Sequence, residues 1–134
     1  MSSESYKKFN EILSELMDEL PKEFFNELHG GVIISETAPL SEYDRAGDLY
    51  IFGQYRRSSI GRQITIYKGS FDIMHGDSWL EDDGAEERLR THLREVLRHE
   101  LRHHMEYMAD IHNSESLERE DERAIMAYLG MHRE

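Results

Sequence analysis

A chain of 134 residues with a net charge of −12 and no cysteine is one domain with a single core; disulfides and thiolate metal sites are excluded, so any metal is held by nitrogen and oxygen ligands. The acidic excess repels phosphates, which argues against nucleic acid or an anionic membrane as partner and favours a cationic ligand or a peptide. Met1-Ser2-Ser3-Glu4-Ser5 lacks the basic and apolar regions of a signal peptide and no apolar run reaches bilayer-spanning length, so a cytoplasmic protein is expected, with 1–4 a disordered leader to a single domain over 1–134.

Phe9, Ile12, Leu13, Leu16 and Leu20 recur at three- and four-residue spacing and predict an amphipathic helix from about Ser5 to Leu20. Pro21 ends it. Lys22 to His29 reads as one or two further helical turns, closed by Gly30-Gly31, which can take the left-handed cap conformation. Val32 to Ser35 is a short β-branched strand, followed by an exposed loop around Pro39. Asp48 to Tyr55 and Gln63 to Tyr67 predict two more strands, joined by Arg56 to Arg62 as a hairpin-like link; Phe71-Asp72-Ile73-Met74 reads as a further short strand or a loop.

The longest helix runs from Gly84 to about Ala109, with Glu81, Asp82 and Asp83 ahead of it to complement the macrodipole. At about 100° per residue, Ala85, Leu89, Leu93, Val96, His103 and Tyr107 share one face, with Glu100 in the middle of the apolar arc and His99 and His103 along its edge. Ser114 to Gly130 forms a C-terminal helix with a stripe of Leu117, Ala124, Ile125 and Tyr128, and Asp121 falls on that stripe. The fold class is α+β, a small mixed sheet of three to four strands packed with N-terminal helices, the long helix and a C-terminal helix.

Within the long helix, His99-Glu100-Leu101-Arg102-His103 reads H-E-x-x-H. Histidines four apart on a helix project from one face a turn apart, so both imidazoles can reach one metal ion, and the glutamate between them is placed as general base. A carboxylate facing the core costs several kcal/mol, roughly, unless something compensates it, and a metal with its water in a cleft does so. The pattern therefore points to zinc-dependent hydrolysis, with Zn2+ as cofactor, His99 and His103 as ligands and Glu100 as base. The bland reading is a solvated helix whose charges pair at i,i+4.

A third ligand is required. Asp110 lies on the histidine face but eleven residues beyond His99, about 16 Å along a continuing helix, and serves only if the chain turns after His103. Glu106 is nearer and reads as a surface or outer-sphere residue. Asp121 serves if the C-terminal helix folds back over the pair; its bland reading is a helix N-terminal acid favoured by the dipole. An oxyanion donor is also needed, with Tyr107, His104, His112 or a tyrosine of the sheet as candidates.

The run His99-Glu100-Leu101-Arg102-His103-His104 resembles the mini-zincins, small single-domain bacterial metallopeptidases whose pattern is H-E-x-x-H-H with a glycine and an aspartate shortly after. The likeness extends to Leu20 through Leu28, Asp48 through Gly53 and Ile66 through Phe71. It implies a zincin-like minimal domain, a metalloprotease acting on a peptide or protein substrate, His99 and His103 as metal ligands and Glu100 as general base. Where the pattern has glycine and aspartate, this chain has Glu106 and Ala109; Glu120-Asp121-Glu122-Arg123 looks like the acidic run displaced by an insertion over roughly Met105 to Arg119.

His29, His75, His92 and His132 read as surface or hydrogen-bonded structural histidines, and Met105, Met108, Met126 and Met131 as core filling. Arg56, Arg57 and Arg62 form the basic cluster of the hairpin, expected to be solvated, with contact to an acidic partner or a substrate terminus as the alternative. Beside the peptidase stand two other readings: a catalytically degenerate zincin-like domain that binds metal or a protein partner, and a structural helical protein with an accidental motif. Oligomeric state is left open.

Overall fold

In the computed structural model the described residues are 3–42, 44, 46–47, 49–59 and 61–111. Helix α1 (Ser3–Asp18) is followed by a 3-10 turn over Lys22–Phe25, strand β1 (Gly31–Ser35), the hairpin of β2 (Gly53–Ser58) and β3 (Gly61–Tyr67), helix α2 (Lys68–His75), a 3-10 turn at Trp79–Glu81 and helix α3 (Asp83–Ile111). The fold is α+β with a mixed three-stranded sheet in the order β1-β3-β2. β1 runs parallel to β3, while β2 pairs with β3 antiparallel from Gly53↔Ile66 to Ser58↔Gly61. The two-residue turn left by that register makes the hairpin tight.

The apolar stripe of α1 supplies Phe9, Ile12, Leu13 and Leu16 to one core, where they meet Leu89, Leu93, Leu97 and Leu101 of α3, Ile64 and Ile66 of β3, Phe71 and Trp79. A three-stranded sheet cannot bury its own face, and here one core shared with the helices covers it. Arg90 with Glu15 of α1, and Arg94 with Glu19 just beyond its end, tie α3 to the N-terminal segment across the rim of that core.

Three expectations change. Phe71 to Met74 is helical rather than extended: Phe71 is fully buried against Phe9 and Phe52, and the Lys68–Asp72 ion pair at 2.8 Å spans one helical turn. The second strand begins at Gly53, because the preceding residues pair with the loop around Pro39 instead, through Ser41 N–H to Leu49 O and Ile51 N–H to Pro39 O. The hairpin arginines are then strand residues rather than a connector. On α3 the core face carries Leu97, Leu101, His104, Met105 and Met108; His103 is exposed and Tyr107 half-buried, so neither is a core residue. Met105 and Met108 fill the core as expected. The predicted C-terminal helix over Ser114 to Gly130, which includes Asp121 and Met126, lies outside the described residues, as do His112, Met131 and His132. No helix among the described residues is long and apolar enough to cross a membrane.

Candidate metal centre

β2 lies against α3, and the odd-numbered residues of the strand face it in step. A Cβ on Gly53 would stand 2.7 Å from Val96 Cγ1 and 3.2 Å from Glu100 Cγ. Tyr55 reaches His104, and Arg57 lies over Tyr107. Alternation along a strand and the advance of a helix thus bring three consecutive facing pairs together. Glycine at the first crossing lets the backbone approach the helix closely enough for Glu100 to be covered.

His99 and His103 project from the exposed side of α3 with their Nε2 atoms 3.1 Å apart. Two nitrogens at tetrahedral positions about 2.0–2.1 Å from one zinc ion stand about 3.3–3.4 Å apart, so the pair fits two ligand positions of a single ion with little adjustment. The other ring nitrogen of His103, Nδ1, has Glu106 Oε1 at 3.8 Å. That separation is beyond hydrogen-bond reach, so Glu106 is a neighbour of the His103 ring and both side chains are about half exposed.

Glu100 lies between the two histidines in sequence but turns inward, at 7% exposure. Burial pushes its carboxyl above the usual carboxylate range, while the nearby His103 and a hydrogen bond from the Tyr55 backbone draw it back. It lines two clefts at once. One, of about 720 Å³, runs past Leu49, Ile51, Phe52 and Val96 to His99; the other, of about 510 Å³, is bordered by Gln54, Tyr55, Arg57, His103, Tyr107 and Asp110. Glu100 therefore stands where an apolar and a polar cleft meet.

Beneath the pair, His104 is fully buried. Its Nε2 is 2.7 Å from the Asn26 carbonyl, which only accepts, so Nε2–H donates there and Nδ1 accepts from the Tyr55 hydroxyl at 2.7 Å. Burial holds the imidazole below its ordinary pKa range, consistent with this neutral tautomer, and pushes Tyr55 up to about 12 against the opposing pull of Arg62 and Arg57. With both ring nitrogens engaged, His104 is not an oxyanion donor but a clamp joining α3 to β2 and to the turn before β1. Its role, and those of Gly53 and Tyr55, went unforeseen in the sequence. The one signal present was a glycine inside an apolar strand, which marks close backbone approach.

The described residues place no third candidate ligand beside His99 and His103. No group of three or more His, Cys, Asp or Glu side chains there is arranged to hold a metal. Helix α3 continues unbroken to Ile111, so the turn that would return Asp110 to the pair does not occur after His103. Asp121 lies outside the described residues.

The chain is similar to the solved structure of a conserved hypothetical protein from Thermus thermophilus, with 28% sequence identity and a TM-score of 0.61 over 78% of this chain and 97% of that one. No protein-family model and no curated protein matches it. A likeness of that extent accords with the α+β architecture.

Proposed function

We propose that the protein is a zinc-dependent metallopeptidase in which His99 and His103 hold the ion and Glu100 is the general base. The observation that carries this reading is the 3.1 Å convergence of the two Nε2 atoms beside a glutamate that is 7% exposed. The resemblance of His99 to His104 to the mini-zincin motif supports it, and with it a zincin-like assignment of the fold. The chemistry that a bound zinc ion supplies is Lewis acidity, which polarises a carbonyl and lowers the pKa of water from about 15.7 to about 7.

The remaining work falls to this chain. Glu100, made more basic by burial, takes a proton from the attacking water at its carboxylate oxygen and returns it to the departing amine. β2 is an edge strand, and its residues Gly53 to Tyr55 line the polar cleft, so an extended substrate can add to the sheet there and lay its scissile bond beside Glu100. Asp121 is retained as the proposed third ligand. Tyr107 is the oxyanion candidate of the described residues that lines the cleft without a hydroxyl bond to His104.

A second reading, a domain that binds metal or a partner protein without turnover, is favoured by one observation: the described residues supply two ligands and not three. The two part experimentally. Glu100→Gln should retain one equivalent of zinc and lose turnover of a peptide library, by at least about 100-fold for removal of a general base, whereas His103→Ala should lose the zinc. Wild-type protein that binds zinc and cleaves nothing would support the second reading, and a Gln variant that cleaves as well as wild type would end the first.

A further inference from the structure

The three hairpin arginines have different fates. Arg62 is committed to Glu27, through Nε to the carbonyl at 2.9 Å and Nη2 to the carboxylate at 3.3 Å. Arg56 donates from Nε to Gln54 Oε1 at 3.2 Å, within its own strand. Arg57 faces α3, and its Cζ lies 4.3 Å from the centroid of the Tyr107 ring. It borders the polar cleft that also contains Glu100 and His103. Among the described residues it pairs with no carboxylate, although Glu106 and Asp110 border the same cleft and Glu106 is turned toward His103.

A guanidinium held over an aromatic face by cation–π attraction keeps its charge and its N–H donors. The contact also helps hold the group in one place, which reduces the ordering cost of making a two-point hydrogen bond. Planar, forked donors match a carboxylate, and such charge-assisted pairs are the strong ones. The surrounding negative charge does not serve as the partner; it makes the arginine the one cationic feature of that cleft wall among the described residues.

Resting on the peptidase reading, we propose that Arg57, seated on Tyr107, is a carboxylate-binding subsite on the His103 side of Glu100, so that the preferred substrate is a peptide bearing a carboxylate on that side of the scissile bond. Either an acidic side chain or a free C-terminus supplies this chemistry. The subsite gives an acidic protein a reason to select an acidic feature in its substrate, against the expectation from net charge alone.

The test uses full-length, zinc-loaded protein and three versions of one cleaved peptide: neutral with an amidated C-terminus, the same with a free C-terminus, and amidated with a glutamate scanned through the positions on either side of the bond. Wild type is expected to favour a carboxylate-bearing peptide in kcat/KM. Arg57→Gln should reduce that substrate about 10- to 100-fold more than the neutral one, the range of a charge-assisted hydrogen-bonding pair. Arg56→Gln, one residue away on the other face of β2, should not change the ratio. Preference for the free terminus or for the glutamate identifies the source of the carboxylate. No preference in wild type, a preference kept in Arg57→Gln, or an equal loss in Arg56→Gln overturns the subsite. Binding of the same peptides to the zinc-free protein, followed by fluorescence anisotropy, separates the two proposals. Carboxylate-dependent binding that needs Arg57 in a protein that cleaves nothing removes the peptidase and keeps the subsite, and cleavage with Arg57-independent binding does the reverse.

Discussion

At the scale of single residues, His104 shows how a buried polar group positions its exposed neighbour. The proposed metal site needs His103 to present Nε2 outward, and a fully buried imidazole bonded at both nitrogens helps fix the rotation of α3 on which that presentation depends. Tyr55→Phe removes the hydroxyl that donates to His104 Nδ1 and leaves a buried acceptor without its partner. The expected cost is about 1–3 kcal/mol, read as a lower urea midpoint at unchanged slope. An unchanged midpoint would mean that the clamp contributes nothing to holding the helix. Arg57 makes the complementary point: a surface arginine on a hairpin acquires a definite position only through the ring beneath it.

At the scale of elements, the decisive relation is the register of β2 against α3, and it explains what could and could not be read from the chain. The long helix and the inward turn of Glu100 follow from a helical period that is local and strong. The identity of the core face near the motif does not, since His103 and His104 are adjacent and which one is buried depends on where β2 lies. Phe71 to Met74 is ambiguous in sequence for a related reason: a short apolar run takes its conformation from its neighbours, here Phe9 and Phe52 around Phe71. Pairings such as Gly53 with Glu100 or Arg57 with Tyr107 join residues about fifty positions apart, which no local pattern encodes. Gly53→Ala tests that register. The added methyl would stand 2.7 Å from Val96 Cγ1, so the Val96 side chain or α3 itself must shift, at a cost of about 1–3 kcal/mol in thermal or urea unfolding. Val96→Ala in the same chain opens the space and should recover part of the loss. A Gly53→Ala protein as stable as wild type would show that the close approach is not required.

At the scale of the whole molecule, the stability of the domain should depend on pH through a second pair of histidines, apart from His99 and His103. His75 Nε2 and His92 Nδ1 are 2.9 Å apart, joining α2 to α3, and the His92 ring packs against Phe52 and Phe71 at centroid distances of 4.5 and 4.8 Å. Such a bond needs one nitrogen to donate and the other to accept, so the pair is bonded when at least one ring is neutral. Burial lowers the pKa of both rings from the ordinary 6.5, reinforced at His75 by Arg88 and at His92 by His75. The unfolded chain therefore binds more protons than the folded one as pH falls below about 6.5, and folding stability must fall in that window and level off only below the depressed folded values. Well above pH 6.5 both states are neutral there and the pair adds no slope. Urea midpoints at pH 7.5 and 5.5, taken with a chelator so that metal binding by His99 and His103 does not contribute, should show a larger acid loss in wild type than in His92→Leu, which removes one ring of the pair. Because the comparison is between slopes, the hydrogen bond lost in the variant shifts both of its midpoints and leaves the difference interpretable. Equal slopes in the two proteins would mean that the pair does not govern the acid response of the fold.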